Sequence, residues 1–235
     1  MGTTGSLESA ALGLGQLEFT ASGPPAPDVL QCEVDVLGRW YGDTRELLAD
    51  AYGPYEPHTS FLSVRDATGT VQGWCRLIRP GGHELKTISD VGRPPWEVDG
   101  ARAARAAEID LDRTWDVATL GVRRELGGAG AVVAAALYHG IIASCRVNDV
   151  PWVVGIVDRR VRQILATLGL TLRALPGTGA KPYMGSPACA PIYAHVAQVL
   201  DEQRRTSPDA HRLIALAAGL DGIQTPIPED YLLSA

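Results

Sequence analysis

The sequence predicts an α/β fold with a mixed, mostly antiparallel sheet flanked by helices, and three observations carry that prediction. Residues 114–122 form a β-branched, apolar run that enters a glycine-rich turn, and a long small-residue apolar stretch, 131–144, follows at once. Residues 59–65 and 71–78 are two strand-like runs on either side of Asp66-Ala67-Thr68-Gly69, the pattern of a hairpin. Elsewhere helical and strand periods alternate, which is the order that layers helices on a sheet.

The elements follow in order. Residues 1–28 are rich in Gly, Ser, Ala and Pro and read as a flexible lead. The main domain is expected over 29–200, with a C-terminal helix and extended tail over 201–235 packed on it. In 38–52 the positions Trp40, Tyr41, Leu47, Leu48 and Ala51 fit one helix, closed by Gly53-Pro54. The hairpin ends at Pro80-Gly81-Gly82, and 83–113 is less regular. Residues 150–157 read as a buried strand with Pro151 at its start. Asp158 is an N-cap for a helix over 159–168 that Gly169 stops. Residues 170–175 and 190–199 are further strand candidates, the second able to turn helical beyond His195. Ser207-Pro208-Asp209 starts a last helix, closed by Gly219. A Rossmann fold does not fit, because the glycine turn follows two antiparallel strands and no acid stands at the ribose position.

Composition narrows the function. A net charge of −6 and a pI near 5.4 argue against nucleic acid or an anionic membrane as the main partner. Cys32, Cys75, Cys145 and Cys189 are far apart, and no His-x-x-x-His pair occurs, so neither a metal site nor a disulfide framework is signalled. Residues 129–145 approach the length of a membrane span, but they are rich in Ala and Gly and contain His139, which suits a helix buried on a sheet. With no basic-then-apolar start, a cytoplasmic location is expected. Only two of the 21 basic residues are lysines, Lys86 and Lys181, an association with GC-rich bacterial genomes.

A strand, a glycine turn and a helix N-terminus make an anion site, because unpaired N–H groups and the helix dipole converge there. Three stretches, taken together, resemble the GNAT superfamily of acyl-CoA-dependent N-acyltransferases, and within it the acyl-homoserine-lactone and N-acyl amino acid synthases. Val71-Gln-Gly-Trp-Cys-Arg-Leu-Ile78 is similar to the strand those synthases end in Arg-Leu. Thr114-Trp115-Asp116-Val117-Ala118-Thr119-Leu120-Gly121-Val122 resembles their Trp-Glu-x-x-Arg-x-x-Val strand. Arg124-Glu-Leu-Gly127-Gly-Ala129 is similar to the superfamily's pyrophosphate loop.

The resemblance implies transfer of an acyl group from an acyl-CoA or acyl-carrier-protein thioester to an amine of a small metabolite, without a metal. Arg123, Arg124, Gly127, Gly128, Ala129 and Gly130 would hold the phosphate, and the strand edge at Leu120 and Val122 would hold the pantetheine. A carboxylate, Asp116 or Glu108, or a water would deprotonate the incoming amine. A carrier protein is an added partner, a homodimer is compatible, and bacterial secondary metabolism is the expected setting. There are departures too: Leu165 stands where the superfamily often has a tyrosine, and Thr119 where the synthases have an arginine. A GNAT-like enzyme without thioester chemistry, and a non-catalytic sensor of acyl-CoA or a metabolite, therefore stay open.

Each candidate also has a plainer reading. Gly127, Gly128 and Gly130 can simply turn the chain, and Arg123 and Arg124 can be solvated. Asp116 faces away from Trp115 by the period of two and can be a structural hydrogen-bonding group. Glu108 can belong to an exposed polar face. Trp74 and Arg76 share a strand face and, with Trp40, Tyr41 and Tyr183, can line a substrate pocket or merely fill core and rim.

Overall fold

The computed structural model describes residues 15–21 and 23–233. The first described element is β1 (Gly15–Thr20), which corrects the expectation of a flexible lead for that segment; residues 1–14 lie outside the described part. The reason is burial: Leu17 goes fully into the core and β1 pairs antiparallel with β2, an edge the local composition does not reveal. Next, α1 (Pro27–Tyr41) has proline and Asp28 in its first turn and closes on left-handed Gly42 at φ 78°. A second helix, α2 (Arg45–Tyr52), is capped by the Thr44 hydroxyl, which accepts the Leu47 N–H. The single helix expected over 38–52 is thus two, because Gly42 turns the chain while both pieces pack on one core.

β2 (Thr59–Arg65) and β3 (Val71–Ile78) form the hairpin, its turn held by Asp66 accepting the N–H groups of Thr68 and Thr70. Two short helices, α3 (Lys86–Val91) and α4 (Gly100–Ala106), occupy the stretch without clear period. Then come β4 (Thr114–Val122), α5 (Ala129–Val147), β5 (Trp152–Asp158) and α6 (Arg159–Thr167), the last capped by Asp158. β6 (Arg173–Ala174), β7 (Lys181–Tyr183) and β8 (Ser186–His195) precede α7 (Val196–Thr206) and α8 (Pro208–Leu216). The last helix ends at left-handed Ala217 rather than Gly219. The tail adds β9 (Ile223–Gln224) beside β1 and buries Tyr231 against Phe19.

The sheet order is β6-β8-β5-β4-β3-β2-β1-β9, with β7 added on β8. Every pairing is antiparallel except β4 with β5 and β1 with β9. One face packs on α5 through Leu62, Cys75, Leu77 and Trp115. The other carries α1 and the short helices over Phe61, Trp74 and Ile78. α5 has the length and hydropathy of a membrane span, and its role here is that of the central core helix. Its small residues bring it close: a Cβ on Gly140 would stand 2.9 Å from Leu62.

β4 carries a one-residue bulge. Arg76 pairs with Thr119 and Leu77 with Val117, so Ala118 has no partner on β3. The extra residue puts Asp116 and Thr119 on the same face, although they are three apart. Gly121 lies opposite Trp74, and a Cβ there would fall 2.1 Å from the indole ring, which is itself fully buried. Gly121→Ala is therefore expected to lower stability by ~1–3 kcal/mol, the range for overpacking a core. Urea unfolding would read this as a lower midpoint at unchanged slope; an unchanged midpoint would mean that Trp74 has room to move.

Candidate functional site

The site begins where two strands part. β4 and β5 run parallel and pair only through Thr114–Trp152, Trp115–Val153 and Asp116–Val154. Gly155 still lies close, since a Cβ on it would stand 2.9 Å from the Val117 carbonyl oxygen. Beyond it the strands diverge, leaving the backbone edge of β4 from Val117 to Leu120 without a strand partner on that side. A cavity of about 230 Å³ fills the gap. Tyr41, Asp43 and Tyr52 line it on the α1 side. On the α5 side its walls are Tyr138, Ile142, Leu165, Leu170, Leu172, Val199 and Ile214. Lining residues from both faces mean that the cavity passes through the sheet at the parting. It is mostly apolar, and unpaired peptide N–H and C=O groups border its middle.

The glycine turn lies at the open end of β4. A single tight turn, Arg124–Leu126, leads to Gly127 at φ 54°, ψ −126°, a conformation that glycine adopts without strain. Gly128 is the N-cap of α5 and offers no side chain. Among the described residues no hydrogen bond takes up the N–H groups of Gly128 and Ala129, whereas those of Gly130 and Ala131 reach back to Gly127 and Gly128 at 3.2 Å. A Cβ on Gly127 or Gly128 would meet nothing within 4 Å. The turn is thus an open, electropositive helix start beside the cavity.

The helix α1 closes this region from the front. Glu33 and Arg76, both buried, form an ion pair at 2.7 Å. The other Glu33 oxygen accepts the Thr119 hydroxyl, also at 2.7 Å, and Thr119 in turn accepts the Trp74 indole N–H. The Arg76 guanidinium lies between the Tyr52 and Phe61 rings at 4.7 and 4.8 Å from their centroids. At the end of α1, the Trp40 ring has Arg124 of the glycine turn and Arg160 of α6 over it. A Cβ on Gly185 would collide with the Tyr41 carbonyl. The last turn of α1 therefore reaches across the open end of the parted strands, from the glycine turn to the β7–β8 connection.

Several residues singled out in the sequence have other places. Asp116 is enclosed rather than poised: its oxygens accept the Thr87 N–H at 2.5 Å and the Thr87 hydroxyl at 2.9 Å, and it does not line the cavity. It faces α3, the side opposite Trp115, and anchors the start of that helix. Glu108 is exposed in a left-handed turn at φ 58° and also lies off the cavity wall. Trp74 and Arg76 belong to the buried network and Trp40 to the arginine-bracketed rim. Arg123 donates to the Val71 carbonyl at 2.8 Å, while Arg124 stays at the turn. Leu120 lines the cavity; Val122 packs behind the turn, next to Gly130.

Tyr183 lines the cavity and a second, polar hollow, and its hydroxyl donates to Asp90, the ion-pair partner of Lys86. Tyr41, offered by the sequence together with Trp40 as a pocket residue, lines the cavity, whereas sequence reading missed Glu33 and Asp43. Nothing in a Gly-Asp-Thr link between helices marks it as a cavity wall. Among the described residues no group of three or more metal-ligating side chains converges.

Comparison with known proteins gives no matching family model and no curated relative. Among solved structures, FeeM, an N-acyl amino acid synthase from uncultured soil microbes, superposes with a TM-score of 0.58. That match covers 80% of this chain and 94% of FeeM at 13% identity. TofI, solved in a ternary complex with an inhibitor and MTA, gives 0.49 at 12% identity over 80% of this chain and 96% of its own. A chimera of the spermidine N-acetyltransferase SpeG from Vibrio cholerae and hSSAT gives 0.48 at 11% identity, over 79% and 99%. The chain thus has the fold of an N-acyl amino acid synthase, FeeM, one of the two groups the sequence resembled.

Burial pushes the Asp116 carboxyl up to about 7, against the Thr87 hydrogen bonds and the Lys86 charge, which pull it down. A raised carboxyl stabilises the fold fully below its ordinary value of 3.8 and loses that contribution as pH rises towards about 7. Asp116→Asn should remove this slope, so that the variant gains on the wild type by an amount on the order of a few kcal/mol between about pH 4 and pH 8. Urea unfolding of both proteins across that range checks it. A difference independent of pH would show the carboxylate ionised throughout.

Proposed function

We propose that the protein transfers an acyl group from an acyl-CoA or acyl-carrier-protein thioester to an amine of a small metabolite. The observation that carries this is the parting of β4 and β5 around an apolar cavity, with β4 running on into an open helix N-terminus. The free N–H groups of Gly128 and Ala129, in the turn between Gly127 and Gly130, suit a phosphate, with Arg124 beside them. The unpaired β4 edge through Leu120 suits the amides of a pantetheine arm. Peptide N–H groups on that edge can stabilise the oxyanion formed when an amine attacks the thioester carbonyl. The apolar walls from Ile142 to Ile214 suit the hydrocarbon part of an acyl group.

Arg124 and Arg160 over the exposed Trp40 form a basic rim on a chain of net charge −6, Arg39 being paired with Glu125, and this rim suits either the nucleotide of coenzyme A or the acidic surface of a carrier protein. A cytoplasmic setting and a role in making a secondary metabolite belong to the same reading. Leu165 on the cavity wall supplies no proton, so any acid for the leaving sulfur comes from elsewhere.

The test is calorimetry with coenzyme A and decanoyl-CoA on the wild type and on Gly128→Glu. The space around Gly128 admits the new side chain, while its charge opposes a phosphate. Saturable wild-type binding that weakens at least ~10-fold in the variant supports the reading, since losing a charge-matched phosphate contact removes about 1.4 kcal/mol or more. If decanoyl-CoA does not bind, decanoyl-carrier protein is the remaining donor, and failure there too overturns thioester use.

A further inference from the structure

The carboxylates lining the cavity are Asp43 and Asp158. Asp158 is committed: one oxygen accepts the Arg160 N–H at 2.7 Å and the other the Ser186 hydroxyl. Asp43 is not. It follows left-handed Gly42 between α1 and α2 and is only 8% exposed, yet among the described residues no hydrogen bond reaches its carboxylate. Its oxygens are shielded from bulk solvent yet open to the cavity and have no donor of their own, so a cation entering the cavity would find an unpaired carboxylate.

Its surroundings strengthen the point. Glu33 lies near enough to act on Asp43 by charge, and the Glu33 oxygens are taken by Arg76 and Thr119. Thr119 is next to Leu120 on the unpaired β4 edge, where the thioester carbonyl is expected. Asp43 therefore faces the cavity from the front, across from the acyl walls. Burial, and then the Glu33 charge, raise its affinity for a proton above that of an ordinary aspartate.

We propose that Asp43 receives the acceptor's amine as an ammonium, so that the acceptor is an aliphatic primary amine, protonated in solution, and not an aromatic amine or an alcohol. This rests on the acyl-transfer reading. The ammonium gives one proton to Asp43 and on to solvent. Its nitrogen then attacks the thioester carbonyl, the C–N bond forms and the C–S bond breaks. The second proton passes from nitrogen through Asp43 to the departing sulfur. The products are an amide, a free thiol and one released proton.

Three single-chain probes test the assignment without knowledge of the acceptor: decylammonium, decanol and decanoate, each bound to the full chain at neutral pH and followed by calorimetry. The wild type should bind decylammonium at least ~10-fold more tightly than decanoate. Asp43→Asn should lose that preference while its decanol affinity stays that of the wild type, which also reports that the cavity is intact. Decanoate binding as tightly as decylammonium to the wild type overturns the proposal even if the variant fails to fold. So does a variant that keeps the preference. If none of the three binds the wild type, the apolar cavity does not hold a hydrocarbon chain, and the acyl-transfer reading falls together with the inference.

Discussion

The buried contact between Glu33 and Arg76 is the interaction on which the arrangement of this molecule turns. It ties α1 to the middle of the sheet, and through Thr119 and Trp74 it extends over both β3 and β4. A charge pair this deep is a poor source of net stability, because the desolvation of both groups offsets most of their attraction. Its value lies in geometry. An uncompensated charge left by any other placement of α1 would cost several kcal/mol, so the helix has one seat. With α1 seated, its last turn, Trp40 to Asp43, lies over the parted strands.

β4 serves two neighbours with different demands. Towards β3 it must pair along nearly its whole length, and the bulge at Ala118 absorbs the change of direction this requires. Towards β5 it pairs for three residues and then departs, which leaves peptide groups facing an apolar space. Such groups are tolerated in a folded protein when a ligand or solvent completes them. The same strand then ends in the glycine turn. Backbone donors for a carbonyl, backbone donors for a phosphate and a wall for a hydrocarbon thus share one continuous stretch of chain.

The two sides of the sheet divide the remaining work. On the α5 side, small residues let the helix lie close to the strands, and larger ones from α6 to α8 shape the deep wall of the cavity. On the α1 side the groups are polar and charged: Asp43, Tyr41 and Tyr183 at the wall, with Lys86 and Asp90 behind. An apolar donor group and a polar acceptor would meet at the gap between them.

Much of this was legible in the sequence, and for local reasons. The hairpin, the strand before the glycine turn, the core helix α5 and the Asp158 cap are written in periodicity, turn residues and capping side chains, each of which acts within a few positions. The resemblance to GNAT proteins rests on the same short stretches. What lay outside local pattern was decided by tertiary contact. β1 becomes a strand because an edge of β2 is there to pair with, and Gly42 divides a helix that the apolar period runs straight through.

The bulge turns Thr119 to the face of Asp116, which the alternation of a regular strand places opposite. Asp116 looked like a base by its position after Trp115, yet α3 folds over it and Thr87 takes its oxygens. Asp43, in a link with no motif, is brought to the cavity by the seating of α1. Sequence determines which elements form, because their signals are short-ranged. Which side chains stay free to meet a ligand depends on what covers them, and that is settled only when distant segments pack.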